Sequence, residues 1–213
     1  MESQVRGGTR WKRFAVVMVP SVAAAAAVGV GLAQGALAAS FSVSGQQFKV
    51  TAGHLHGEGF AQYGGIDSVY TKTDGKEKTQ VPVAISSFDD ATITEMCQSV
   101  KTVIPLINKT VYLRLDAGHK GEAVTAHNLY IDVAQLDADA KFTNIDIGVA
   151  VKDKTRGPDV KQGENVLPGG FAQQAESADL YGVEQTAWAT TAGTFTLNDL
   201  SMRLGTDSKM ECY

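Results

Sequence analysis

Val111-Tyr112-Leu113-Arg114-Leu115-Asp116-Ala117-Gly118 is the stretch that decides the fold. Val111, Leu113 and Leu115 alternate with Tyr112, Arg114 and Asp116 before a glycine turns the chain. That period of two belongs to a half-buried strand and not to a helix. Working outward, Leu129, Ile131 and Val133 alternate with Tyr130 and Asp132, and Ile145, Ile147, Val149 and Val151 with Asp146, Gly148, Ala150 and Lys152. Phe195, Leu197 and Asp199 start a further run. Leu200, Met202 and Leu204 continue it after a one-residue slip in phase, which predicts a bulge.

Turn clusters at 73–78, 116–121 and 153–163 separate these runs. No window sustains an amphipathic helix of useful length. The nearest, Ile93–Ile107, contains Pro105 and many β-branched residues, and Glu164–Ser177 is the other place for a short helix. Degenerate echoes occur between Leu55-His56-Gly57-Glu58-Gly59-x-Ala61 and Leu136-Asp137-Ala138-Asp139-Ala140-x-Phe142. Small residues at such places let backbones approach closely, as stacked or rolled sheets require. The expectation is one all-β domain over residues 40–213, either a rolled or solenoid-like sheet or a two-sheet sandwich.

Residues 1–39 carry a different message. Arg6, Arg10, Lys12 and Arg13 precede an uncharged run from Phe14 to Ala39 that closes on Ala36-Leu37-Ala38-Ala39-Ser40. A basic start, an apolar middle and a small-residue exit make an export signal. Residues 14–33 are also long enough to cross a bilayer as a helix, so the segment reads as a signal peptide cut near Ala38 or Ala39, or as a retained N-terminal anchor. Either way the rest of the chain is expected to be secreted or on the outer face of the cell membrane. Beyond Ala39 remain 15 basic and 22 acidic side chains of the 19 and 23 in the whole sequence, a net charge of −7. Such a surface repels phosphates, so nucleic acid is not an expected partner.

Cys97 and Cys212, the two cysteines of the chain, are expected to pair outside the cytoplasm and to tie down the C-terminus. For chemistry, no Gly-x-Ser-x-Gly elbow occurs, and Gly205-Thr206-Asp207-Ser208 reads as a turn. Were a triad assembled from distant positions, His119 or His127 would be its base. No catalytic residue is assigned. His54-x-His56-x-Glu58 is the sharpest local pattern, since alternate strand positions share a face and two imidazoles with a carboxylate make half of a metal site. A polar outer strand face explains the same residues without a metal, and no cofactor is expected. Asp89-Asp90 and Asp137-x-Asp139 lack a calcium-loop frame and read as solvated turns. Asn108-Lys109-Thr110 is a formal glycosylation triplet. Tyr63, Tyr70, Tyr112, Tyr130, Tyr181, Phe142, Phe171 and Trp188 are spread over the strands, as core filler or as the lining of a rolled sheet holding an apolar ligand.

Arg10-Trp11-Lys12-Arg13-Phe14, the Gly59-Phe60-Ala61-Gln62-Tyr63-Gly64 segment, Asp179-Leu180-Tyr181-Gly182 and the terminal Glu211-Cys212 resemble a family of small exported actinomycete proteins. Many of its members are classed only as a domain of unknown function, and some carry the name cholesterol esterase. The resemblance implies an envelope or secreted location and a link to sterol esters or other lipids. Three functions are therefore expected: a non-catalytic module binding a lipid or a partner, a secreted ester hydrolase of the cholesterol esterase type, or a structural surface protein.

Overall fold

The computed structural model describes residues 44–72, 75–104 and 109–213. The expected export segment, with its hydrophobic helix, and Asn108 of the glycosylation triplet lie outside the described residues. Strands occupy 70 % of those described and short 3-10 turns 4 %, so the domain is all-β. The ten strands are β1 (Phe48–Tyr70), β2 (Lys78–Thr94), β3 (Met96–Ile104), β4 (Lys109–Ala117), β5 (Val124–Thr143), β6 (Asp146–Ala150), β7 (Asn165–Val166), β8 (Phe171–Thr191), β9 (Thr194–Thr196) and β10 (Ser201–Gly205).

All ten belong to one antiparallel sheet that runs β10-β4-β3-β1-β2-β5-β8-β6 and closes on itself where β1 also pairs with β8. β1, β2, β5 and β8 thus form a small barrel, one rolled sheet instead of a two-sheet sandwich. β2 and β3 are two halves of one run, and both pair with β1 in an unbroken register from Tyr70↔Lys78 to Phe48↔Val100. The run bends at Glu95, whose φ of 52° lies in the left-handed region. There the Glu95 N–H donates to the Gly118 carbonyl at 3.0 Å. Gly118 cannot be replaced at that bend, because a Cβ on it would lie 2.9 Å from the Ile93 carbonyl oxygen.

At the bend the sheet divides. β5 continues the barrel beside β2, and β4 continues a flat wing beside β3 that ends in β10. The barrel closes through Phe48–Ala52 against Ala187–Val183, the first residues of β1 meeting a late part of β8. Inward-facing Leu55, Phe60, Phe88, Ile93, Leu129 and Ile131 form its main core. Outside the barrel wall, residues 151–166 fold over a second cluster of Tyr63, Val83, Ile85 and Tyr130.

Three expectations are corrected. Glu164–Ser177 holds no helix; it is β7 and the first third of β8. Residues 145–151 are not one half-buried strand: β6 is an edge strand in which Ile147 is 67 % exposed, and the chain turns into a 3-10 turn at Val151–Asp153. The phase slip near Leu200 is not a bulge within one strand: a turn with Asp199 at φ 53° separates β9 from β10, which pair with different neighbours.

Candidate functional site: a cavity in the barrel

All four ring strands contribute to a cavity of about 140 Å³ inside the barrel. On β5 the lining residues are Leu136, Ala138, Ala140 and Phe142; the first two and the last are half-buried, whereas Ala140 is exposed, so the space opens to solvent beside it. β8 answers in register with Leu180 opposite Ala140 and Gln185 opposite Leu136. Phe60 of β1 closes one side. Its ring lies 5.4 Å from Phe88 and 5.1 Å from Phe142, at tilted angles that suit aromatic contact. Gly57 is required there, since a Cβ on it would come 2.1 Å from the Phe88 ring.

Three polar side chains reach this apolar space: Gln62, Ser86 and Gln185. Gln62 accepts from Gln173 Nε2 at 2.6 Å and donates to Ser86 Oγ at 2.9 Å. The carboxamide of Gln185, 6 % exposed, has no hydrogen-bond partner among the described residues. No charged side chain lines the cavity.

Beside the cavity the wall is closed by side chains. Backbone pairing of β1 with β8 stops at Ala52↔Val183. The next rungs are His54 stacked on Tyr181, with ring centres 4.4 Å apart and planes 4° from parallel, and His56 bonded to Asp179. His54 Nε2 and His56 Nδ1 both meet Asp179 Oδ1, at 3.0 and 2.8 Å, and His56 Nε2 meets Glu58 Oε1 at 3.0 Å. The Asp179 hydrogen bond raises the His56 pKa above its usual value against the opposing effect of burial, and the bond from Glu58 adds to it. Reciprocally, the hydrogen bonds from His56 and then His54 hold Asp179 below the usual carboxylate range. Leu55 and Leu180, which lie between these residues on their strands, line the cavity directly inside.

A family model described as a family of unknown function, DUF6230, matches residues 44–213. The chain belongs to that family. No curated protein and no solved structure matches it.

In this DUF6230 domain the residues singled out in the sequence fall into separate places. His54, His56 and Glu58 do share one face of β1, and Asp179, which no local pattern reveals, joins them. Among the described residues no group of three His, Cys, Asp or Glu is arranged to hold a metal ion, and these imidazoles are turned to carboxylates. Cys97 and Cys212 lie at disulfide distance, with sulfurs 2.02 Å and Cα atoms 5.9 Å apart. The C-terminal tail straps the polar face of the wing, where Lys49 Nζ bonds Glu211 Oε2 at 2.8 Å and the Tyr213 carbonyl at 2.6 Å. Beneath it, Asp116 holds Arg114 and Arg203. Burial acts to raise its pKa, but the bonds from the two guanidinium groups outweigh that and keep it low.

His127 bonds Asp90 at 2.9 Å on an exposed face, and no histidine among the described residues is hydrogen-bonded to a serine hydroxyl. Asp207 accepts from the Lys209 N–H at 3.0 Å and caps a turn, as its sequence context predicts. Asp137 and Asp139 face outward from β5 and are exposed, whereas Asp89 fits against the bare α-carbon of Gly59. Of the eight aromatics proposed as lining, Phe142 alone lines the cavity. Phe60 and Phe88 complete the aromatic wall, and the Leu-x-Ala-x-Ala-x-Phe spacing on β5 is the signal that marks it.

Tyr63 and Tyr130 belong to the outer cluster, under residues 151–166. Burial raises both phenol pKa values, that of Tyr130 to about 12. Their hydroxyls donate to Glu164 Oε2 at 3.2 Å and to the Asp159 carbonyl at 2.7 Å. Asp132, 4 % exposed, sits with them. Burial pushes its pKa up to about 7 against the attraction of Lys161, and its Oδ1 has no hydrogen-bond partner.

Proposed function

We propose that this DUF6230 protein is an exported, secreted or envelope-attached binding module, without catalytic activity, whose barrel holds the apolar end of a ligand. The single observation that carries the reading is the cavity: apolar side chains from four strands line unfilled space that opens to solvent beside Ala140. Interiors normally leave few voids larger than a water molecule. An apolar cavity of about 150 Å³ accepts a benzene-sized guest. The space therefore suits the end of an acyl or alkyl chain, while a four-ring sterol nucleus needs about three times that room. Export is supported by the order of charge, apolarity and small residues over 1–39, and by a cysteine pair of the kind that persists in oxidising compartments.

The ester-hydrolase reading has less support. It needs a nucleophile held by a base, and Ser86, the one hydroxyl lining the cavity, receives its hydrogen bond from a glutamine. Native mass spectrometry of protein recovered outside the cell tests the proposal. A co-purifying apolar adduct, lost when Ala138→Phe fills the cavity, is expected. Protein recovered inside the cell, always empty of adduct, or turning over p-nitrophenyl esters would overturn it.

A further inference from the structure

We infer that the barrel cavity selects a neutral ligand carrying one oxygen function, an alcohol or an ester carbonyl on a short unbranched chain, over a fatty-acid anion or a bare hydrocarbon. The inference rests on the binding reading above and concerns what the cavity recognises. Gln185 and Ser86 are 6 % and 5 % exposed, and both open onto the cavity. Ser86 Oγ receives the Gln62 amide, and that glutamine is itself fixed by Gln173, so the Ser86 hydroxyl keeps its own hydrogen to donate. Gln185 keeps both an acceptor oxygen and an amide donor. The Gln185 carboxamide is not among the buried atoms that lack a partner and is open to solvent in the cavity. A bare hydrocarbon filling the space would strand it, whereas a guest with a polar group of its own pairs with it.

The guest's own polar group must be uncharged. The lining holds no lysine, arginine or histidine to receive a carboxylate, and no aspartate or glutamate to receive an amine. The histidines of the neighbouring seam do not serve, since their ring nitrogens face Asp179 and Glu58. An ionised head placed in this space would lose its hydration for nothing better than a neutral dipole. A hydroxyl can both accept and donate, and so meets Ser86 and Gln185 together. An ester carbonyl accepts from either.

The test follows the leucine and isoleucine methyl signals of the methyl-labelled full chain, those of Leu55, Ile131, Leu136 and Leu180 above all, during titration. The probes are 1-hexanol, hexane, methyl pentanoate and hexanoate, the last at pH 8 where it is ionised. Hexanol is expected to bind about tenfold more tightly than hexane, and hexanoate at least tenfold more weakly than hexanol. Gln185→Leu should abolish the preference of alcohol over alkane while alkane binding persists or strengthens. Should that variant fail to fold, Ser86→Ala gives the same comparison with the loss of one donor. Equal affinity of hexane and hexanol in the parent protein, as when bound water already satisfies both groups, overturns this inference and leaves the binding reading standing. Tighter binding of hexanoate also overturns it. If no probe moves these methyl signals, the binding reading itself fails.

Discussion

Replacing Cys97 and Cys212 together with serine is expected to remove about 5 kcal/mol of stability. The two residues are 115 positions apart, and the loop-closure relation for a cross-link of that span gives about 5 kcal/mol at 25 °C. The contacts that would survive on the tail are weak by comparison. Lys49–Glu211 is partly exposed, and such a pair is worth about 0–1 kcal/mol. The Cys212 N–H bond to Ser99 Oγ at 3.0 Å and the Tyr213–Thr186 hydroxyl contact at 3.0 Å depend on a tail that would be free to fray. Against a typical total of about 5–15 kcal/mol the loss is large enough to leave the variant marginal. Urea unfolding followed by circular dichroism measures it, and a fall in midpoint of about 2 M or more is expected at ordinary slopes for this size. A loss below about 1 kcal/mol, with the slope unchanged, would refute the loop-closure account. The tail would then be held by its polar contacts, and the cross-link would be incidental.

Three other outcomes follow from the geometry. His56 has a folded pKa above its unfolded value, so its contribution to stability is complete below about pH 6.5 and disappears as pH rises through the folded value. His56→Gln should flatten that part of the pH–Tm curve, and an identical curve would show that the seam pair does not matter. Asp132 has a slope of the same sign in a lower window: the fold keeps a proton that the unfolded chain loses, so stability declines from about pH 4 to about pH 7 and is level above. Asp132→Asn should therefore be more stable than the parent at pH 8, by on the order of 2–4 kcal/mol, with the two converging towards pH 4. Ala138→Leu should cancel ligand binding and change stability by no more than about 1 kcal/mol, because the added methyl groups enter existing space. A larger loss by thermal melt would mean that the space is not there.

The local periodicity of the strands was legible, and their closure was not. Val111–Asp116 and Leu129–Val133 read correctly as strands because alternation is a property of neighbouring residues. The pairing of Phe48–Ala52 with Val183–Ala187 joins opposite ends of the domain, and nothing near either segment announces it. The faces of Leu129–Val133 follow that alternation, with Leu129 and Ile131 inside and Tyr130 and Asp132 in the outer cluster. Those of Val111–Asp116 do not: Tyr112 and Asp116 are buried, while Val111, Leu113 and Leu115 are only half-buried. Where a short helix was expected at Glu164–Ser177, and just beyond it, Ala172, Ala175 and Ala178 are each fully buried three residues apart. In the fold they lie on β8, where strand irregularity permits it. At the seam, the shared face of His54, His56 and Glu58 was legible, but Asp179, 123 residues from His56, was not.

The late closure of the barrel sets an order on biogenesis. A chain emerging from its N-terminus presents β1 almost at once, yet the strand that seals it arrives only when nearly everything else has followed. Until then both margins of a half-built sheet stand open, which favours mispairing with another chain. Productive folding then demands that the nascent strands be shielded, or that emergence outrun association. Truncations ahead of β8 should accordingly yield sticky fragments, never a smaller barrel.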